Sequence, residues 1–223
     1  MRRVVFITGS TGLIGRALVE RLVERGHDVL ALARSGSEAK VPRGARVVAG
    51  DALQSGAWAS EVPRGAVFVH LVGTAHPAPW KAAEFERVDW GSLRVAVDAA
   101  RAADVERFIY LSVAQPAPVM RAYVAVRARG EKLVAENFAN ATFVRPWYVL
   151  GPARRWPLAL VPLYALLDAL PATRDSARRL GLVTLEQMTC ALADSVRAAS
   201  LGHVVLEVPA IRDFALQRMA SQR

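Results

Sequence analysis

The stretch Thr8-Gly9-Ser10-Thr11-Gly12-Leu13-Ile14-Gly15 decides the reading of this chain. It follows a β-branched, apolar run over residues 3–8, which reads as a strand buried on both faces. It opens a helical pattern over residues 13–24, in which Leu13, Ala17, Leu18 and Leu22 share one face while Arg16, Glu20 and Arg21 lie elsewhere. Gly26 then ends that helix. Strand, glycine-rich turn and helix in this order are the setting of a dinucleotide-binding turn. Gly9 permits the tight turn, Gly12 lets the backbone approach a diphosphate, and Gly15 lets the helix pack on the sheet. The helix amino terminus supplies uncapped N–H groups and the positive end of its dipole to an anion.

Working outward, short β-branched runs alternate with longer helical patterns, as in βαβ units. Strands are expected at residues 28–33, 46–50, 67–72, 107–112 and 142–145, and helices at 82–103 and 123–138. This predicts an α/β fold: a doubly wound parallel Rossmann sheet with helices on both faces. From Pro146 the rhythm changes, as proline and aromatic residues cluster (Trp147, Tyr148, Pro152, Trp156, Pro157, Pro162, Tyr164). A helix at 185–199, a strand at 204–208 and a polar tail follow. The expectation is one domain over 1–223, with a dinucleotide-binding core at 1–152 and a small substrate-side cap at 153–223 integrated with it.

The chain has 223 residues and 53% hydrophobic content, enough for a core and too much for global disorder. Its net charge is +9, from 29 basic and 20 acidic residues, and only Lys40, Lys81 and Lys132 of the basic ones are lysine. The excess is spread along the chain without a basic block or tail, which argues against nucleic acid as a partner. Cys190 is the sole cysteine, so no internal disulfide and no cysteine zinc finger can form. The four histidines show no ligand spacing, and no metal site is expected. No segment reads as a targeting sequence, and residues 156–170 are too short and too broken to span a bilayer. A reducing, cytoplasmic setting is the expectation.

The residues resemble those of the short-chain dehydrogenase/reductase superfamily, in its extended and atypical branches. Thr8 to Gly15 is similar to the family's TGxxGxxG turn. Gly50-Asp51 resembles its acidic position beside the adenine, His70-Leu71-Val72-Gly73 its fourth-strand motif, and Phe108-Ile109-Tyr110-Leu111-Ser112 its fifth strand. Arg145-Pro146 and Gly151-Pro152 resemble its RPxxxxGP segment near the nicotinamide. The resemblance implies a cofactor cradle of Gly9, Ser10, Thr11, Gly12, Leu13, Ile14, Gly15, Asp51, Ala52, Leu71, Val72, Gly73 and Pro146. After the second strand the chain reads Ala33-Arg34-Ser35, with no acid until Glu38. A basic residue there accommodates a 2′-phosphate, so Arg34 points to NADP(H) over NAD(H).

The family's chemistry rests on a tyrosine with a lysine four residues later. Tyr123 alone of the four tyrosines has a basic residue at that spacing, Arg127, with Glu131 a further four on. The resemblance implies Tyr123 as acid/base, Arg127 as its electrostatic partner at the ribose, and Ser112 as the helping hydroxyl. Arginine in place of lysine is a departure: it stays protonated and cannot relay a proton onward. A helix-surface role for the pair has equal standing. His70 reads as a packed strand residue, and Asp89 and Glu84 as solvated or structural. His76, Trp147, Tyr148 and Trp156 are the candidate substrate contacts at the sheet's carboxyl edge.

These readings imply an NADP(H)-dependent oxidoreductase of the atypical short-chain type, acting on a small, apolar carbonyl, alcohol or quinone-like substrate. The altered dyad keeps a second reading open, a non-catalytic NAD(P)-binding redox sensor or a respiratory complex I accessory or assembly-type protein. Nucleotide-sugar epimerase or dehydratase chemistry is a third. Apolar residues beside Arg154 and Arg155 also leave a membrane-surface or protein-partner patch open.

Overall fold

The computed structural model describes residues 2–151, 174–199 and 201–213. Pro152, Trp156 and Tyr164, with the rest of residues 152–173, and the tail at 214–223 lie outside the described residues.

Seven parallel strands form the main sheet: β1 Val4–Thr8, β2 Asp28–Ala33, β3 Arg46–Ala49, β4 Val67–His70, β5 Arg107–Leu111, β6 Ala141–Arg145 and, in chain order after the short strands described below, β9 His203–Glu207. Their order is β3-β2-β1-β4-β5-β6-β9. The order reverses at β1, between β2 and β4, and a doubly wound sheet opens its ligand crevice at such a switch point. Helices α1 Leu13–Glu24, α3 Gly91–Ala102 and α4 Arg121–Asn137 pack on the faces with α6 Leu185–Arg197. A short parallel pair, β7 Tyr148–Leu150 and β8 Leu182–Thr184, lies apart from the main sheet, with the short helix α5 Arg174–Arg179 between them in sequence. No helix among the described residues is long and apolar enough to cross a membrane.

The two-residue period of each strand sends alternate side chains to two cores. Val5, Ile7, Val29, Ala31, Val67, Val69 and Ile109 face α1 and α6. Phe6, Leu30, Leu32, Phe68, Phe108 and Tyr110 face α3 and α4. On that second face Phe6, Phe68 and Phe108 stack across neighbouring strands, with ring centroids 5.4 and 5.1 Å apart. Each such pair contributes about 1 kcal/mol beyond the area it buries. Both faces are covered, which explains why the strands read as apolar runs rather than alternating ones.

Two elements differ from expectation. The helix expected at 82–103 is one helical run, but its middle, Phe85–Trp90, winds as a π-helix between α2 Ala82–Glu84 and α3. Strands β7 and β8 carry no periodic signal because each is only three residues long. Thr184, the last residue of β8, is the N-cap of α6: its hydroxyl accepts from Gln187 N while the Gln187 side chain accepts from Thr184 N.

Candidate cofactor groove and proton-transfer site

The turn after β1 is shaped by its glycines. Gly9 sits at φ +76°, and a Cβ there would come within 2.8 Å of the Leu71 backbone carbon. A Cβ on Gly15 would overlap the Gly9 carbonyl oxygen, so β1 and α1 approach only with glycine at both positions. Gly12 is the N-cap of α1; no side chain caps the helix, and its first turn holds no acid. The first-turn N–H groups therefore face the turn without a protein partner side chain, as a bound diphosphate requires.

This turn forms one wall of a groove of about 520 Å³ at the switch point. Gly9, Thr11 and Gly12 line it from β1–α1, and Leu32, Arg34, Ser37 and Lys40 from the end of β2. Gly50, Asp51, Ala52 and Leu53 come from the end of β3, Leu71, Val72, Gly73 and Ala75 from the end of β4, and Glu84, Arg87 and Val88 from the helical wall. Ser37, Lys40, Glu84 and Arg87 were not among the expected cradle residues. Lys40 lies six residues past Arg34 in the same loop, and Glu84, Arg87 and Val88 share one helix face by their spacing; those are the signals that point to them. Asp51 accepts a hydrogen bond from Leu53 N at 3.0 Å, and Glu84 pairs with Lys81 at 3.2 Å.

Several expected cradle residues take other roles. The Ser10 hydroxyl is fully buried and donates to the Leu32 carbonyl at 2.7 Å, tying the turn to β2 rather than facing the groove. The Leu13 side chain lies against Gly151, and Ile14 packs on the core. Pro146 is buried and its carbonyl accepts from Ala114 N at 2.9 Å. None of these four side chains lines the groove.

Outside the residues that line the groove, α4 carries Tyr123 and Arg127 one turn apart. Tyr123 is half-buried, its ring 4.9 Å from that of Phe85. Arg127 is where the structure departs most from expectation. Its guanidinium is turned into the protein: it is 3% exposed and pairs with Asp89 at 2.5 Å. It donates to the Leu111 carbonyl at 2.7 Å and to the Val72 carbonyl at 3.4 Å, and sits 5.3 Å from the centre of the Tyr123 ring. Asp89, fully buried, also accepts from Thr74 N at 3.0 Å and Thr74 Oγ1 at 2.6 Å. Burial opposes the Arg127 charge, but Tyr123, Tyr110 and Asp89 outweigh it and raise its pKa above the ordinary arginine value. The reason for the inward turn is electrostatic: a fully buried carboxylate is tolerable only when paired and hydrogen-bonded. Gly73 makes room for the pair, since a Cβ there would overlap Arg127 Nη2.

Ser112, at the end of β5, is buried, and its Oγ has no hydrogen-bond partner among the described residues; the Nε of Arg127 likewise has none. Such groups carry a desolvation cost that a ligand or water would relieve. Tyr110 is fully buried, and burial pushes its pKa up to about 12, against the smaller opposing effect of Arg127. Trp147 and Tyr148 meet edge to face, 5.6 Å between centroids, where β7 begins. His76 is exposed on the loop leaving β4, at φ +50°.

His70 is fully buried in β4, its Nδ1 2.8 Å from Thr8 Oγ1 and its Nε2 3.4 Å from Ser92 Oγ. Burial, then the Arg127 charge, lowers its pKa from 6.5 to about 3. Between those two values the unfolded chain binds a proton that the folded chain refuses, so stability falls as pH drops below about 6.5. The limiting slope from one such group is about 1.4 kcal/mol per pH unit. Urea denaturation between pH 7 and 5 will show this loss, and His70→Gln will flatten it. A slope of the same sign remains from His27, whose pKa is lowered by burial and by Arg197 and Arg25.

The sequence matches a family model described as NAD(P)H-binding over residues 9–155. The chain belongs to the NAD(P)H-binding family. It is 32% identical to the ceramide reductase of Caulobacter vibrioides over 92% of this chain and 64% of that protein. It is 34% identical to a 3-diazoavenalumate denitrifying reductase of a Streptomyces species over 78% of this chain and 53% of that protein. The chain thus spans between about half and two thirds of these relatives' lengths. Its fold is shared with a short-chain dehydrogenase/reductase superfamily protein of Agrobacterium tumefaciens solved with bound NAD, at a TM-score of 0.65 and 19% identity, covering 92% of this chain and 77% of that one. As a member of this family the chain binds a nicotinamide dinucleotide, and the uncapped α1 terminus and the glycine turn fit its diphosphate.

Proposed function

We propose that this protein is an NADP(H)-dependent reductase acting on a small, apolar carbonyl or quinone-like substrate. The observation that carries the cofactor preference is the pair of cations, Arg34 and Lys40, that line the groove with Ser37 at the end of β2. Neither side chain has an ion pair or hydrogen bond to another described residue. A 2′-phosphate carries close to two negative charges at neutral pH and takes up such donors. Reductase chemistry is supported by the two relatives named reductases.

Gly9, Gly12 and the first turn of α1 would hold the diphosphate, and Leu71, Val72 and Gly73 the wall beside it. A reduced dinucleotide held there would supply hydride for the reduction of the carbonyl. Tyr123 Oη donates the proton to the carbonyl oxygen, giving the alcohol, and solvent reprotonates the tyrosine. The Ser112 hydroxyl, without a partner among the described residues, orients that oxygen. Arg127 contributes a fixed positive charge beside the Tyr123 ring and does not relay the proton.

NADPH oxidation in the presence of ketones, aldehydes and quinones tests this. Tyr123→Phe is expected to lower turnover by about 100-fold or more with unchanged NADPH affinity. Arg34→Ala combined with Lys40→Ala is expected to erase the preference for NADPH over NADH. Turnover indifferent to Tyr123→Phe sinks the acid/base assignment. A second reading, a non-catalytic NAD(P)-binding sensor, is favoured by one observation: Arg127 spends its donors on Asp89, Leu111 and Val72. Tight NADPH binding with no turnover of any such substrate selects that reading.

A further inference from the structure

We infer that Arg87 binds the diphosphate of the dinucleotide, clamping it from the wall opposite the glycine turn; this rests on the dinucleotide reading of the groove. Three cations line the groove, Arg34, Lys40 and Arg87, together with two acids, Asp51 and Glu84. Both acids are engaged, Asp51 by Leu53 N and Glu84 by Lys81. The Arg87 side chain has no ion pair or hydrogen bond to another described residue. The groove therefore keeps its positive charge for a ligand. Arg34 and Lys40 rise from the β2 end, on the 2′-phosphate side. Arg87 rises from the helical wall with Glu84 and Val88, and among the described residues it is the one cation of that wall lining the groove.

The backbone beneath Arg87 is unusually fixed for an exposed residue. It lies inside the π-helical turn Phe85–Trp90, flanked two residues either side by Phe85 and Asp89, both fully buried. The Phe85 ring packs at a tilt against Tyr123, and Asp89 is held by Thr74 and Arg127. π-turns within helices recur at functional sites. Here the turn keeps two buried anchors inward while Arg87 projects to the groove. Its planar fork matches phosphate oxygens, while the uncapped first turn of α1 supplies N–H donors from the other side. A side chain on a fixed base loses less freedom on binding than a loop arginine does.

The test is a titration of NADPH and of NADH into wild type, Arg87→Gln, Arg87→Lys and Arg34→Ala, followed by nicotinamide fluorescence. The diphosphate is common to both dinucleotides, so Arg87→Gln is expected to weaken both by the same factor, about tenfold. Arg87→Lys is expected to restore most of the affinity, and Arg34→Ala to weaken NADPH alone. Unchanged affinities in Arg87→Gln overturn the inference. A loss confined to NADPH does so too, because it places Arg87 at the 2′-phosphate. A matching fall in thermal midpoint assigns the loss to folding and overturns it as well. Wild type that binds neither dinucleotide overturns the groove reading itself, an outcome distinct from a silent Arg87.

Discussion

Gly15→Val abolishes dinucleotide binding and costs the fold on the order of 3 kcal/mol. Even a Cβ at this position overlaps the Gly9 carbonyl oxygen and comes within 2.8 Å of Ser10 Cα, all of it backbone. Backbone cannot rotate away as a side chain does, so β1 and α1 must separate. That separation pulls the first-turn N–H groups of α1 away from the site of the diphosphate, and it strains the Ser10–Leu32 bond that ties the turn to β2. Gly26→Ala is the control. It too has a positive φ, +76°, but a Cβ there meets nothing within 4 Å. It will cost about 1 kcal/mol of backbone strain and leave binding unchanged. Urea denaturation with NADPH titration on both variants separates the collision from the conformational cost. Equal effects from the two would contradict the packing role of Gly15.

Breaking the buried ion pair is the second large effect. Arg127→Met leaves Asp89 fully buried with only Thr74 as partner, and removing one member of such a pair costs about 3–5 kcal/mol. Asp89→Leu strands a buried guanidinium for a similar loss. The double variant, apolar at both positions, regains most of the stability, because no uncompensated charge remains. The consequence reaches the groove. Arg127 bonds the Val72 carbonyl and Asp89 holds Thr74, so the pair fixes the loop after β4 that supplies Val72, Gly73 and Ala75 to the wall. The single variants will therefore bind dinucleotide more weakly even where they remain folded. A double-mutant cycle by denaturation measures the coupling; additive single effects would mean that the two side chains do not act as a pair.

What the sequence made legible was local. The strand, turn and helix around Gly9, Gly12 and Gly15 carry their reasons within a few residues, and the parallel α/β order follows from the alternation of apolar runs. His70 read as packed because it sits inside an apolar strand. The π-turn was illegible: the 82–102 run is helical by pattern, and nothing at one-turn range shows the change in winding. The partner of Arg127 was illegible for another reason. Asp89 lies 38 residues earlier on a different helix, and spacing within α4 favours Tyr123, not a carboxylate brought in by the fold. Ser10 shows the same limit at shorter range: its type and place suit a phosphate contact, and only the register of β1 beside β2 sends its hydroxyl to Leu32. Lys40 and Arg87 look like ordinary surface charges until β2, β4 and the helical wall converge on one groove.

This convergence also changes the meaning of the net charge of +9. Much of the arginine is committed within the protein, as with Arg25 to Asp194, Arg127 to Asp89 and Arg145 to Glu131. The cations left facing the groove are the ones that bear on function.

The measurement that tests this account most directly is a crystal structure of the protein with NADP⁺. The diphosphate is expected at the first turn of α1 beside Gly12, the 2′-phosphate between Arg34 and Lys40, and the nicotinamide within reach of Tyr123. A dinucleotide bound outside this groove, or one whose 2′-phosphate faces solvent away from both cations, would contradict it.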